Sequence, residues 1–151
     1  MNVLELLKKD HSKVKSLFAM FDQLNASDHE KKAELFAQIR RELQLHSRAE
    51  QQIFYPAIKA VDSSGQRLAF DAAKEHQNID ELLVQISRLK PSNKTFDEKL
   101  EILLASVDSH VEQEEGEIFQ FAEENCSEQQ LEEMGDEIEE RKRFLDHEMA
   151  A

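Results

Sequence analysis

The sequence is short of the residues that interrupt helices: three glycines and two prolines in 151 residues. Leu, Glu, Lys, Ala and Gln are plentiful, and together these point to an all-helical fold. There is one cysteine, Cys126. That excludes an internal disulfide framework and fits a reducing compartment. No run of about 18 apolar residues occurs, which excludes a membrane-spanning helix. The opening MNVLELLKKDHSKVK has no apolar signal core and passes directly into an amphipathic pattern. The expectation is a mature, cytoplasmic protein. Clusters of Lys and Arg are also missing. The net charge is −13, much of it after Asp108, which argues against nucleic acid and anionic membrane surfaces as partners. The acidic stretch reads first as a solvated helix face.

Apolar residues recur by threes and fours along most of the chain, the helical period. The expected organisation is a single domain over 1–151, with a bundle over about 1–125 and a further helix over about 127–148. Helix 1, about 3–24, has the stripe Leu4, Leu7, Val14, Phe18, Phe21, with His11 in its gap. Helix 2, about 30–60, reads Phe36, Ile39, Leu43, His46, Glu50, Ile53, Ala57 without a slip. Pro56 within it predicts a kink or break near Phe54. Helix 3, about 66–89, reads Ala69, Ala72, His76, Ile79, Leu83, Ile86. Helix 4, about 96–124, reads Leu100, Leu103, Val107, His110, Glu114, Ile118, Phe121. Ser27 or Asp28 would cap helix 2, and Ser127 with Gln130 forms a capping-box pattern before helix 5. The narrow stripe of helix 5, Leu131, Met134, Ile138 and Leu145, suits packing on the outside of the bundle or on a second copy. The short links between helices 1 to 4 imply up-down-up-down packing.

Six polar residues stand where these stripes should hold Leu, Ile or Val: His11, His46, Glu50, His76, His110 and Glu114. A lone histidine on an apolar stripe is more often a packed core residue than a ligand. Four in phase on successive helices, two followed at i+4 by glutamate, are another matter. Positions i and i+4 differ by about 40° around a helix and about 6 Å along it, so each His–Glu pair stacks on one face. Helices 2 and 4 run parallel in this topology, which brings the two glutamates to one level. Four imidazoles supply four nitrogens, and two bridging carboxylates supply four oxygens. Two six-coordinate ions would each keep roughly two positions open. Mixed imidazole and carboxylate donors suit iron or manganese, with zinc as the common competitor. Of the other histidines, His29 reads as solvent-facing and His147 lies in the C-terminal tail; neither is a candidate ligand. Cys126 reads as a buried, inert thiol before a reactive one, and Tyr55, which adjoins the helix 2 ligands, as a packing aromatic before a residue near the site.

The order H, HxxxE, H, HxxxE resembles the hemerythrin-like HHE cation-binding family, from His11 to about Phe121. The resemblance implies a four-helix bundle around two bridged iron ions, oxo or hydroxo bridged, often with an extra C-terminal helix. It implies His11, His46, His76 and His110 as terminal ligands and Glu50 and Glu114 as bridging carboxylates. Two positions depart from the oxygen carriers of the family. Their fifth histidine, four residues after the one on helix 3, is Asp80 here, which could be a ligand, an acceptor for a ligand or a surface residue. Their last carboxylate falls at Glu115, next to Glu114. The four-His, two-Glu set looks more like the bacterial repair-of-iron-centres proteins, without their N-terminal domain. A ferritin-like site would want Glu-x-x-His, the reverse order.

Three functions are expected. One is binding of O2 or NO as sensor, store or scavenger. Another is turnover of NO or peroxide, or donation of iron to damaged centres. The third is a structural metal in an interaction module, with helix 5 as partner surface and a homo-oligomer as one outcome.

Overall fold

A computed structural model describes residues 1–150. Five helices account for nearly all of it, and no strand occurs among the described residues. We label them α1 (Val3–Asp22), α2 (residues 29–59), α3 (Ser63–Ser87), α4 (residues 94–125) and α5 (Glu128–Ala150). Side-chain caps set the starts, each filling a backbone N–H that the first turn leaves unpaired. Asn2 Oδ1 accepts from Glu5 N–H at 2.9 Å and Asp28 Oδ1 from Lys31 N–H at 3.2 Å. Asp62 accepts from Gly65 N–H at 2.9 Å, so α3 begins at Ser63, three residues before the expected Gln66. Asn93 caps α4 by accepting from Thr95 N–H at 2.9 Å. The expected capping box opens α5: Ser127 N–H donates to Gln130 Oε1 at 2.8 Å and Gln130 N–H to Ser127 Oγ at 3.1 Å.

Two apolar clusters form the core. One gathers Leu7, Phe54, Ile58, Phe119 and Ile138; the other gathers Phe18, Ile39, Leu83, Phe96 and Leu103. On each of α1 to α4 the candidate histidine falls between the residues given to the two clusters, and each glutamate sits one turn further on. The polar layer therefore lies across the middle of an up-down-up-down four-helix bundle. The outer helix α5 packs on α1 and α2 of its own chain through buried Leu131, Met134, Ile138 and Leu145. Gly135 permits this: a Cβ there would lie 2.2 Å from Met1 O. Gly65 does the same where α3 starts, since a Cβ would lie 2.1 Å from Ile58 O.

The stripes of helices 2 and 4 do slip, contrary to the unbroken pattern read from the sequence. Glu50–Phe54 and Glu114–Ile118 are π-helical turns. Tyr55 N–H bonds to Glu50 O, and Phe119 N–H to Glu114 O, five residues back in each case. Buried positions then fall at steps of four: His46, Glu50, Phe54, Ile58 and His110, Glu114, Ile118, Ala122. Ile53, Ala57 and Phe121, expected inward, are only partly buried. On a regular helix each step of four drifts by about 40°; the wide turn cancels that drift. The turn near Phe54 stands where Pro56 predicted a break, but α4 has the same turn without a proline. What the two share is a core glutamate at the first position, and π turns are frequent at functional sites.

Candidate metal centre

All six predicted donors converge. The four histidines are 3 to 8% exposed, and Glu50 and Glu114 are 0% exposed. Each ring points Nε2 inward. His11 Nε2 lies 3.1 Å from His46 Nε2, and His76 Nε2 lies 2.9 Å from His110 Nε2. Each glutamate touches both pairs. Glu50 Oε1 is 2.9 Å from His46 Nε2 and 3.3 Å from His76 Nε2. Glu114 is 3.2 Å from His11 Nε2 through Oε1 and 3.2 Å from His110 Nε2 through Oε2. Two donor groups result, His11–His46–Glu50–Glu114 and Glu50–His76–His110–Glu114, with the atoms of each within 4.8 Å of one another.

These residues fit a pair of cations. Both oxygens of Glu50 and Oε1 of Glu114 are buried without a hydrogen-bond partner; the nearby imidazole nitrogens are close but off hydrogen-bond geometry. Buried carboxylates left this way are strongly disfavoured unless a positive charge joins them. The histidines are also set for ligation from behind, as metal-binding imidazoles are. His11 Nδ1 donates to Glu115 Oε2 at 2.7 Å, His46 Nδ1 to Asp10 Oδ2 at 3.0 Å and His110 Nδ1 to Glu75 Oε1 at 2.8 Å. His76 Nδ1 has neutral neighbours, Ser47 Oγ at 2.9 Å and the Gln51 amide at 3.2 Å.

Comparison with known proteins agrees with this geometry. The model of the Hemerythrin HHE cation binding domain matches residues 2–122. The chain belongs to the hemerythrin HHE family. A solved HHE cation-binding domain protein from Mycobacterium kansasii has the same fold, with a TM-score of 0.82 and 25% identity. The match covers 95% of this chain and 86% of that one. Among curated HHE relatives, an uncharacterized hemerythrin-like protein of Schizosaccharomyces pombe is 28% identical, over 91% of this chain and 67% of its own. A Nostoc protein named DNA nickase is 32% identical over 91% of this chain, which spans only 38% of that relative's length.

Glu114 is the α4 carboxylate inside the donor groups, and Glu115 stands behind His11. Asp80 is exposed and outside both groups; it borders a cavity on the histidine side. Partial desolvation by the neighbouring helices still raises its pKa, opposed by the charges of His76 and Arg48. His29 is exposed, as expected, and so is His147. Cys126 is only half-buried rather than buried, and its burial still pushes the thiol pKa up.

Tyr55 is more than packing. Its hydroxyl donates to Glu114 Oε2 and lies 3.1 Å from His76 Nε2 and 3.5 Å from His110 Nε2. Burial and the charges of Glu50 and Glu114 hold the phenol protonated, with its pKa well above the usual value. Sequence reasoning also missed Asp10, Glu75, Ser47 and Gln51. A signal existed for two of them: an acid directly precedes His11 and His76, and each acid serves the histidine of the next helix.

The metal-free cluster balances its carboxylates with protons. Burial alone would lower the His46 pKa, but Glu50 and Asp10 overcome it and raise it to about 10. Likewise burial opposes, and Glu114, Glu50 and Glu75 raise, the His110 pKa to about 9. The Glu50 carboxyl is held well below its usual pKa, His46 prevailing over burial.

Proposed function

We propose that this chain binds two iron ions through His11, His46, His76, His110, Glu50 and Glu114, and there takes up O2 or NO as a sensor, store or scavenger. The observation that supports this most is the sharing of both glutamates between two donor groups. Each group offers two nitrogens and two carboxylates, which leaves an octahedral ion with room for a small ligand. When bound, iron supplies open coordination positions and redox chemistry.

The chain's own residues define the rest. A cavity of about 30 Å3 borders all four histidines, walled by Val14, Leu43, Ile79, Val107 and Val111. A single water needs about 10–15 Å3 of such space, so a diatomic or peroxide fits. The apolar wall disfavours charged competitors. Tyr55 holds a hydroxyl proton beside the His76–His110 half. Asp80, outside the donor groups, leaves unfilled the place that a fifth histidine takes in oxygen carriers. This favours oxidation and reactivity over reversible carriage.

The interaction-module reading is weaker, because the apolar stripe of α5 is already buried on α1 and α2. The nicking activity in the Nostoc relative's name is not carried over: this chain spans 38% of that protein, and a net charge of −13 repels a phosphate backbone. The free thiol of Cys126 suits the cytoplasm, and no described helix is long and apolar enough to cross a membrane.

The test is anaerobic loading with ferrous iron and then exposure to O2 or NO. We expect two irons per chain, an NO-dependent spectrum and prompt oxidation to the ferric form by O2. A stable oxygenated spectrum would restore the carrier reading, and no response to either gas would sink the proposal.

A further inference from the structure

We propose that Lys142 on α5 is a positioning residue for the His11–His46 half of the metal centre, acting through Asp10. The inference rests on the two-metal reading above. All six donors come from α1 to α4, so α5 would be expected only to cover the bundle. Yet Lys142 Nζ lies 2.7 Å from Asp10 Oδ1, while Asp10 Oδ2 accepts from His46 Nδ1 at 3.0 Å. Both carboxylate oxygens are engaged, one by each partner. Asp10 therefore cannot rotate without losing the cation or the imidazole. The side chains of Lys142 and Asp10 are 19% and 13% exposed, so water is a poor substitute for either.

The helix is placed to deliver this cation. One turn later Asp146 pairs with Arg41 of α2. Two turns earlier Gly135 lets the α5 backbone meet Met1 and Asn2, which fixes its register against α1. The other half of the centre lacks the device. Glu75 occupies the place of Asp10 behind His110, and among the described residues its ion-pair partner is His110 alone. Lys142 thus makes the two metal positions unequal. It fixes the ring plane of His46 without touching a donor atom.

Two readouts test this on the full chain. In metal-free protein, 15N-edited NMR should show a protected His46 Nδ1–H in the native chain and in Lys142→Arg. It should be lost or fast-exchanging in Lys142→Met, which keeps the apolar stem. Titration with Co2+ should then show one of two equivalents weakened about tenfold in Lys142→Met, the low end for loss of an outer partner of a ligand. The second equivalent should be unchanged, and Lys142→Arg should restore the first. An unaltered His46 proton, unchanged or tighter binding of both equivalents, or equal weakening of both with a lower melting temperature would overturn the proposal. Uptake of fewer than two equivalents by the native protein would instead sink the two-metal reading, and the NMR result would decide the role of Lys142 by itself.

Discussion

The two halves of the centre share their glutamates but differ in everything behind them. The His11–His46 half is backed by two carboxylates, Glu115 and Asp10, and Asp10 carries the Lys142 countercharge. The His76–His110 half is backed by one carboxylate, Glu75, and by the neutral Ser47 and Gln51. It alone has a hydroxyl, that of Tyr55, among its donor atoms. Two carboxylates and one ammonium behind the first half, and one carboxylate behind the second, leave the same net outer charge on different hydrogen-bond partners. The second half holds the Tyr55 hydroxyl against two imidazoles. Equal donor sets therefore sit in unequal surroundings, and the difference is concentrated at Tyr55 on one side and Asp10 on the other.

The largest effect should come from what the halves share. His46→Ala with Glu50→Ala removes a donor common to both groups, so metal content should fall from two ions to none. Circular dichroism should still report most of the helix. Stoichiometric iron in that double variant would refute the bridged arrangement. Next in size is Gly65→Ala. The added Cβ must displace Ile58 O, just beyond Tyr55 on α2, and overpacking of this kind costs about 1–3 kcal/mol. Urea unfolding should show that loss, with the Tyr55 half disturbed before the other.

A third effect comes from the protons that the metals would replace. His46 and His110 titrate near 10 and 9 in the folded metal-free protein, against 6.5 ordinarily. Raised values stabilise the fold fully below pH 6.5, and the contribution is lost as pH climbs through 9 to 10. The melting temperature of the metal-free protein should fall over that window. The loaded protein, whose ligating rings are neutral, should not show the fall. Protons should also compete for the rings and release metal by about pH 5. A metal-free melting temperature flat from pH 6.5 to 10 would contradict the assigned charge balance.

Much of this was legible in the sequence. The donors could be found because each breaks an apolar stripe at a position whose phase the neighbours fix. The His–Glu spacing at i+4 also lies ahead of the π turn and is untouched by it. The slip after Glu50 and Glu114 was hidden, because a stripe count assumes a regular helix. Tyr55 ranked as packing first for the same reason. On a regular helix five steps of about 100° put it about 140° from Glu50, whereas the π turn brings it back toward the site. Asp10, Glu75 and Lys142 act between helices, on a histidine of another segment, so no single stripe contains the information.

The smallest effect sharpens the contrast between halves. Tyr55→Phe removes one hydroxyl, worth about 1 kcal/mol as a hydrogen bond. Metal content should stay at two, while the NO spectrum and the rate of oxidation by O2 change. Asp80→Asn should leave metal content and melting temperature nearly unaltered. An iron lost from Asp80→Asn would return that residue to the ligand set.

The central claim is a pair of ions bridged by Glu50 and Glu114. Anomalous diffraction at the iron edge, from crystals of the loaded protein, tests it most directly. Two peaks are expected, one against His11 and His46 and one against His76 and His110, each in contact with both glutamates. A single peak, or peaks away from these six side chains, would contradict it.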